Sequence, residues 1–285
     1  MTAVLTIAGY GFREAVRRKV FAVVIVLTAC FLALFWLANH YVFTRLSTIT
    51  PPADVNVDTR TFAGAFLLGL AMFATLFLGV VLAVFLTLGV VSGDAERGLL
   101  QPLVVRPVGR TTLLLSRFLG AAVVCIVYVL AVYGSALAII DLTGHWTPAS
   151  KVAPGLEIAG GVVIVIAISI LGSVVLSSTA NGIAVFMLFG AGLVSGLLAS
   201  IGHALNAHTI ENISTIVAWA LPFEALYQDG LRLISTDATG VTSFLLELGP
   251  FGGGFVRGWE IRLWAVAYLV VVLGCAIAVF SRRDL

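Results

Sequence analysis

The sequence predicts an all-α integral membrane protein with six transmembrane helices, and three observations carry that reading. Five long stretches, Val20 to Ala38, Phe62 to Val91, Phe118 to Ile140, Ile158 to Ile201 and Leu263 to Phe280, contain no Asp, Glu, Lys, Arg or His. A charge at the bilayer centre costs at least ~2.5 to 3.5 kcal/mol, so such gaps mark helices that sit in lipid. Mean hydropathy is +1.12 and only 11% of residues are charged, against roughly 25% in an ordinary soluble domain. Basic residues, finally, are divided unevenly between alternate loops.

A spanning helix needs ~20 apolar residues. Ile158 to Ile201 is too long for one and is interrupted by Ser177-Ser178-Thr179-Ala180-Asn181-Gly182, a turn-forming cluster able to join two antiparallel helices. The expected spans are therefore residues 20–38, 62–91, 113–140, 158–176, 183–201 and 263–280, with no soluble domain between them. With six spans both termini share a side. Arg13, Arg17, Arg18, Lys19, Arg97, Arg106, Arg110, Arg117, Arg282 and Arg283 fall there with four acids, a net of +6; the other side holds six basic and ten acidic residues, a net of −4. The positive-inside rule puts both termini in the cytoplasm of a multi-pass protein of the cell (inner) membrane.

Ahead of the first span, Leu5, Ala8, Phe12, Ala15 and Val16 form an apolar face and Arg13, Arg17 and Arg18 a basic one. That is the pattern of an amphipathic helix lying in the plane of the inner headgroups, in contact with anionic membrane lipids. The first apolar run is too long for a signal-peptide core and reads as a retained anchor. The second span, ~45 Å long as a straight helix against a ~30 Å hydrocarbon core, should tilt or project. Its Ala71, Thr75, Gly79, Ala83 and Thr87 recur every fourth position, and the fifth span repeats the device with Gly192, Gly196 and Ser200. Such stripes let helix backbones approach closely, either within one subunit or at a subunit interface. Ser169, Ser173 and Ser177 share a face of the fourth span.

Between the second and third spans, Leu99, Leu100, Leu103 and Val104 have helical spacing, Pro102 is tolerated early and Pro107 ends the turn, so a short amphipathic cytoplasmic helix is expected. Between the fifth and sixth, Ile210, Ile213, Val217 and Leu221 form one stripe and Phe223, Leu226, Tyr227 and Ile234 another, with Pro222 between them. Two amphipathic helices at the outer membrane face are expected, then a glycine-rich hinge at residues 249–254.

The composition also excludes functions. Gradient-driven carriers usually hold ionisable residues inside their spans, and these spans have none. An intramembrane enzyme would need an acid, base or metal there to activate Ser or Thr. Cys30, Cys125 and Cys275 lie in apolar runs and His40, His145, His203 and His208 lie outside with no shared helical face, so no metal site is expected. Nothing points to nucleic acid.

The run Glu96-Arg97-Gly98-Leu99-Leu100 through Val105-Arg106-Pro107-Val108-Gly109-Arg110, followed by Leu114-Leu115-Ser116-Arg117-Phe118-Leu119-Gly120, resembles the signature of membrane subunits of type-2 ABC exporters. Val105 stands where that family usually has Ser, and Ser116-Arg117 where it has Gly-Lys. The basic start, the polar turn after span four, Leu221-Pro222-Phe223-Glu224-Ala225-Leu226 and the terminal Arg282-Arg283-Asp284-Leu285 extend the likeness over the chain. The resemblance implies one transmembrane permease domain, residues 1–285, paired with a second permease copy or paralogue and two cytoplasmic ATP-binding subunits. ATP and magnesium would sit on those subunits, since this chain has no G-x-x-x-x-G-K-[ST] loop and so no cofactor of its own. It further implies that Glu96 and Arg97, with the Leu99 and Leu100 face, meet the ATPase, and that Arg106 and Arg110 fix the loop or bind inner-leaflet phosphates. The cargo would be lipid-like or amphipathic. The alternative is a mechanical coupler that drives an extracytoplasmic partner with no substrate crossing.

The charge division makes a direct prediction. Cysteines introduced at Arg110 and Arg283 should react with an impermeant thiol reagent only from the cytoplasm, and those at Asp54, Lys151 and Asp237 only from outside. Labelling of position 110 from outside would overturn the six-span topology.

Overall fold

The computed structural model describes residues 19–46, 59–88, 110–205, 207–235 and 258–282. Among them are eight helices: α1 (Lys19–Leu46), α2 (Thr59–Thr87), α3 (Arg110–Gly144), α4 (Ala153–Val175), α5 (Ser178–Leu205), α6 (His208–Ala220), α7 (Pro222–Ser235) and α8 (Trp259–Arg282). Six of these, α1 to α5 and α8, are long and apolar enough to cross a membrane. Lipid offers backbone groups no hydrogen-bond partners, so a spanning segment of this composition closes its own bonds as a helix. The expected in-plane helix before residue 19 and the short helix within residues 89–109 lie outside the described residues.

Several boundaries differ from the sequence expectation. α1 continues past Ala38 through His40 to Leu46, and α3, at 35 residues, is longer than α2 at 29. Charged residues such as Arg45, Arg117 and Asp141 cap apolar stretches without ending helices, because a polar side chain at the membrane edge leaves the backbone bonds intact. The expected six-residue turn between spans four and five shrinks to Leu176 and Ser177, and Ser178 to Gly182 already form the first turn of α5. Asn181, which looked like a turn residue, is fully buried.

α4 is the hub. It packs against α2, α3, α5, α7 and α8, while α1 rests on α2 and α3 at the periphery. Pro154 starts α4, where its missing N–H breaks no helical bond. Ala71, Thr75, Gly79 and Ala83 of α2 all face inward. A Cβ on Gly79 would stand 2.9 Å from Cγ2 of Val129 on α3 and 3.0 Å from Cγ2 of Val162 on α4, so three helices meet at a point where only hydrogen fits. Thr75 returns its hydroxyl to the Ala71 carbonyl at 2.7 Å, which hides the polar group within its own helix.

The segment between spans five and six departs most from expectation. It forms two helices that meet at Leu221 and Pro222, yet α7 is no surface helix. Phe223 to Leu231 are buried without a break, and α7 packs along α4 and touches α2, α5 and α8. In α6 the buried residues are Ser214 and Ala218, while Ile213 of the apolar stripe is 51% exposed. The small residues let α6 close on α5, and the larger isoleucines are left outside.

Packing at Gly79 is testable against Gly134 of α3, whose Cβ position meets nothing within 4 Å. Gly79→Leu should destabilise by about 1 to 3 kcal/mol through overpacking, whereas Gly134→Leu should be nearly neutral. Thermal unfolding of the purified variants reads this directly, and equal shifts would contradict the close approach of α2, α3 and α4.

Candidate functional site

Two buried polar nodes lie at opposite ends of α4. The first sits where α2 stops. Thr87, the last residue of α2, bonds through its hydroxyl to that of Ser169 on α4 at 2.6 Å, and Asn181 of α5 donates Nδ2 to the Ser169 carbonyl at 2.9 Å. Asn181 Oδ1 occupies the position that a side chain on Gly172 would take. Three helices are thus tied by neutral hydrogen bonds, each worth about 1 kcal/mol or somewhat less in a membrane bundle. Residues 89–109, which contain the exporter-like motif, begin two positions beyond Thr87 and end at the start of α3.

The second node lies where α4 begins. Asp229 of α7, 1% exposed at its side chain, accepts a bond from Arg232 Nη2 at 3.1 Å and another from Arg262 Nη2 at 2.7 Å. Arg262, on α8, also places Nε 2.6 Å from Glu157 Oε1 on α4. One guanidinium therefore joins three helices, using its forked donors on two carboxylates. Removing it would leave Asp229 buried with one fewer partner, the situation that makes breaking a buried pair costly.

Next to this cluster, Glu224 is 2% exposed and accepts a 2.7 Å bond from Gln228 Nε2, one turn along α7. Gly196 of α5 makes room for both: a Cβ there would meet Glu224 Oε1 and stand 2.7 Å from Gln228 Nε2. Gly192, one turn earlier, admits the Phe223 ring, which stacks on Phe189 with centroids 5.7 Å apart. Burial pushes the Glu224 carboxyl from its ordinary 4.5 up to about 7, against the opposing effect of the Gln228 bond. Gln228 Oε1 is buried with no partner among the described residues. Turning the amide over would let a protonated Glu224 donate to it. Tyr227 is shifted upward as well, by burial and then by Glu224.

Of the residues singled out from sequence, Glu96, Arg97, Leu99, Leu100 and Arg106 lie outside the described residues, and Arg110 opens α3 with its side chain outside them. Ala71, Thr75 and Ala83 are buried, Gly79 meets α3 and α4, and Gly192 and Gly196 meet α7. The sequence reading missed Glu157, Asn181, Glu224, Gln228, Asp229 and Arg262. The i,i+4 spacing of Glu224 and Gln228 and the i,i+3 spacing of Asp229 and Arg232 are available signals, but in sequence these residues read as part of a polar outer segment. Among the described residues no three His, Cys, Asp or Glu side chains group to hold a metal. His208 pairs with Glu211 at 3.5 Å and His40 stacks on Trp36.

Glu224 gives stability a pH dependence whose sign is fixed. Folded and unfolded chains both hold the proton below about pH 4.5; between there and about 7 only the folded chain does, so stability falls as pH rises through that window. A shift of this size is worth about 3 kcal/mol. Glu224→Gln, which leaves Glu157, Asp229 and Arg262 in place, should flatten the decline in unfolding temperature between pH 5 and pH 8. Parallel slopes for the two proteins would contradict the buried, protonated carboxyl.

No curated protein matches the chain. A family model described as ABC-2 family transporter protein matches residues 5–285. The match takes in both nodes, all six spans and the segment between α2 and α3. Members of this family are membrane components that hold no cofactor or ATPase of their own and work with ATP-binding subunits. The chain belongs to the ABC-2 family, and it is the multi-pass membrane component of an ATP-binding cassette transporter.

Proposed function

We propose that this chain is the permease of an ABC exporter for a lipid-like or amphipathic substrate, paired with a second permease and driven by two cytoplasmic ATP-binding subunits. Both termini and residues 89–109 then face the cytoplasm, and Glu96, Arg97, Leu99 and Leu100 form the contact with the ATPase. Arg106 and Arg110 hold the loop or the inner-leaflet phosphates. The observation that supports this most is the continuity of the buried polar contacts. Thr87 passes motion of the coupling segment to Ser169 on α4. Through Glu157, α4 then acts at its far end on Arg262 and, with it, on Asp229 of α7. Closure of the ATPases would displace α2 and α3, and α4 would carry the displacement to α7, which fills the outer end of the bundle.

The second reading, a mechanical coupler, draws support from α6, where Ile213 and Ile216 are 51% and 68% exposed and could meet an extracytoplasmic partner. The two readings share the inner half of the mechanism.

That shared half can be tested on the complex co-expressed with its ATPase. Glu96→Lys and Arg97→Glu should each weaken subunit association or lower ATP hydrolysis while membrane insertion stays intact. A charge-assisted contact at a partly desolvated interface is worth ~1.5 to 3 kcal/mol, about tenfold or more in affinity. Arg45→Glu, at the opposite end, should do neither. Equally small effects of all three on pull-down yield and hydrolysis would sink the assignment of this segment as the coupling element.

A further inference from the structure

A groove of about 320 Å³ runs between α3, α4, α7 and α8, and it differs in kind from the ordinary lipid-facing surface. Its walls come from one face of two helices that start at the same end of the bundle. On α4 the lining positions are 156, 157, 159, 160, 163 and 164, and on α8 they are 262, 265, 266 and 269. The α8 set has i, i+3, i+4, i+7 spacing and is a single stripe, and the α4 set adds 157 and 164 beside such a stripe, a broader face of one helix. The floor is low because its residues are small: Ala159 and Ala265 are buried, and Gly160 leaves its Cβ position 3.4 Å from Leu226 Cδ1. The rim is formed by Leu156 and Val266, 54% and 61% exposed, on helices that cross the membrane. The open side therefore faces hydrocarbon.

The groove is polar at one end only. Arg262 and Glu157 close it at the level where α4 and α8 begin, and from Arg262 it descends along α8 to Leu269, ~10 Å nearer the middle of the bundle. The Arg262 side chain is 44% exposed although Nε and Nη2 are committed to Glu157 and Asp229. A guanidinium carries five N–H donors, more than these two contacts use. The two acids are balanced by Arg262 and Arg232, so the cluster does not repel an anion as a bare acidic pair would.

We infer that this groove is a binding site for one phospholipid of the surrounding leaflet, with an acyl chain laid over Ala159, Gly160 and Ala265 and the headgroup phosphate hydrogen-bonded to the Arg262 guanidinium. A filled groove recovers the dispersion contacts that a void against lipid forfeits, and the lipid braces α8 against α4 beside the helix that closes this end. The inference goes beyond the transport reading, because a resident lipid requires neither ATP nor the partner subunits.

The chain alone, in nanodiscs, tests it. Phosphatidylcholine carrying a diazirine in one acyl chain is photolysed, and the labelled peptides are compared with those from a diacylglycerol with the same chain. Phosphatidylcholine should label Ala159 to Val163 and Ala265 to Leu269 at least ~5-fold above the exposed Leu34 and Leu37 of α1, a ratio corresponding to about 1 kcal/mol of preference. Diacylglycerol should lose most of that excess. Ala265→Phe, which fills the floor, should abolish the excess and leave labelling of α1 unchanged; Gly160→Leu repeats the test from the opposite wall should the first variant fold poorly. Groove labelling no greater than that of α1, or an excess that survives both variants, or equal excess with diacylglycerol, would each overturn the proposal.

Discussion

The contact between α4 and α7 is the constraint on which the rest of the architecture depends. α7 carries Glu224, Gln228 and Asp229 into a bundle whose other members are apolar spans, and in such surroundings each polar group must be paired or neutralised. Pairing and room come from the helices around it. Arg262 supplies the counter-charge for Asp229 and Glu157, Gly196 makes room for the Glu224 carboxyl and the Gln228 amide, and Gly192 and Gly161 let Phe223 lie against α5 and α4. Without those glycines α7 could not seat, and without α7 the spans α4, α5 and α8 would lose the helix they pack against at this end.

The two polar nodes differ in chemistry in a way that suits their positions. The Thr87, Ser169 and Asn181 node is neutral and made of short side chains, so it can be sheared and re-formed without exposing a charge to lipid. The Glu157, Asp229 and Arg262 node is ionic and harder to break, since separating its members would strand Asp229 in a buried position. Soft contacts thus lie at the end of α4 where α2 stops, and strong ones at the end where α7 packs. α4 connects them as a rigid element of 23 residues.

Much of the fold was legible from residue pattern alone. The gaps in charge located six spans, and Pro222 marked the break between α6 and α7. The exporter-like motif around Glu96 to Arg110 indicated the family that the match over residues 5–285 establishes. Boundaries were less legible, because helices such as α1 and α3 run on through residues that no longer need lipid. The candidate site was largely illegible. Glu224 and Asp229 look like solvated charges in a polar loop, and Asn181 looks like a turn; only their neighbours in space reveal that they are buried.

What the sequence determined by itself was the class of molecule: long stretches free of charge, a helical solution to backbone hydrogen bonding in lipid, and an energy source outside those stretches. Those follow from properties summed along the chain, where local composition suffices. The tertiary structure alone decided that α7 is an inner element, that Gly196 serves Glu224, and that Arg262 gathers acids 33 residues and 105 residues away in sequence onto one guanidinium. Such partnerships are set by which helix faces meet, and a helical face presents the same residues to lipid or to a neighbour until the bundle closes.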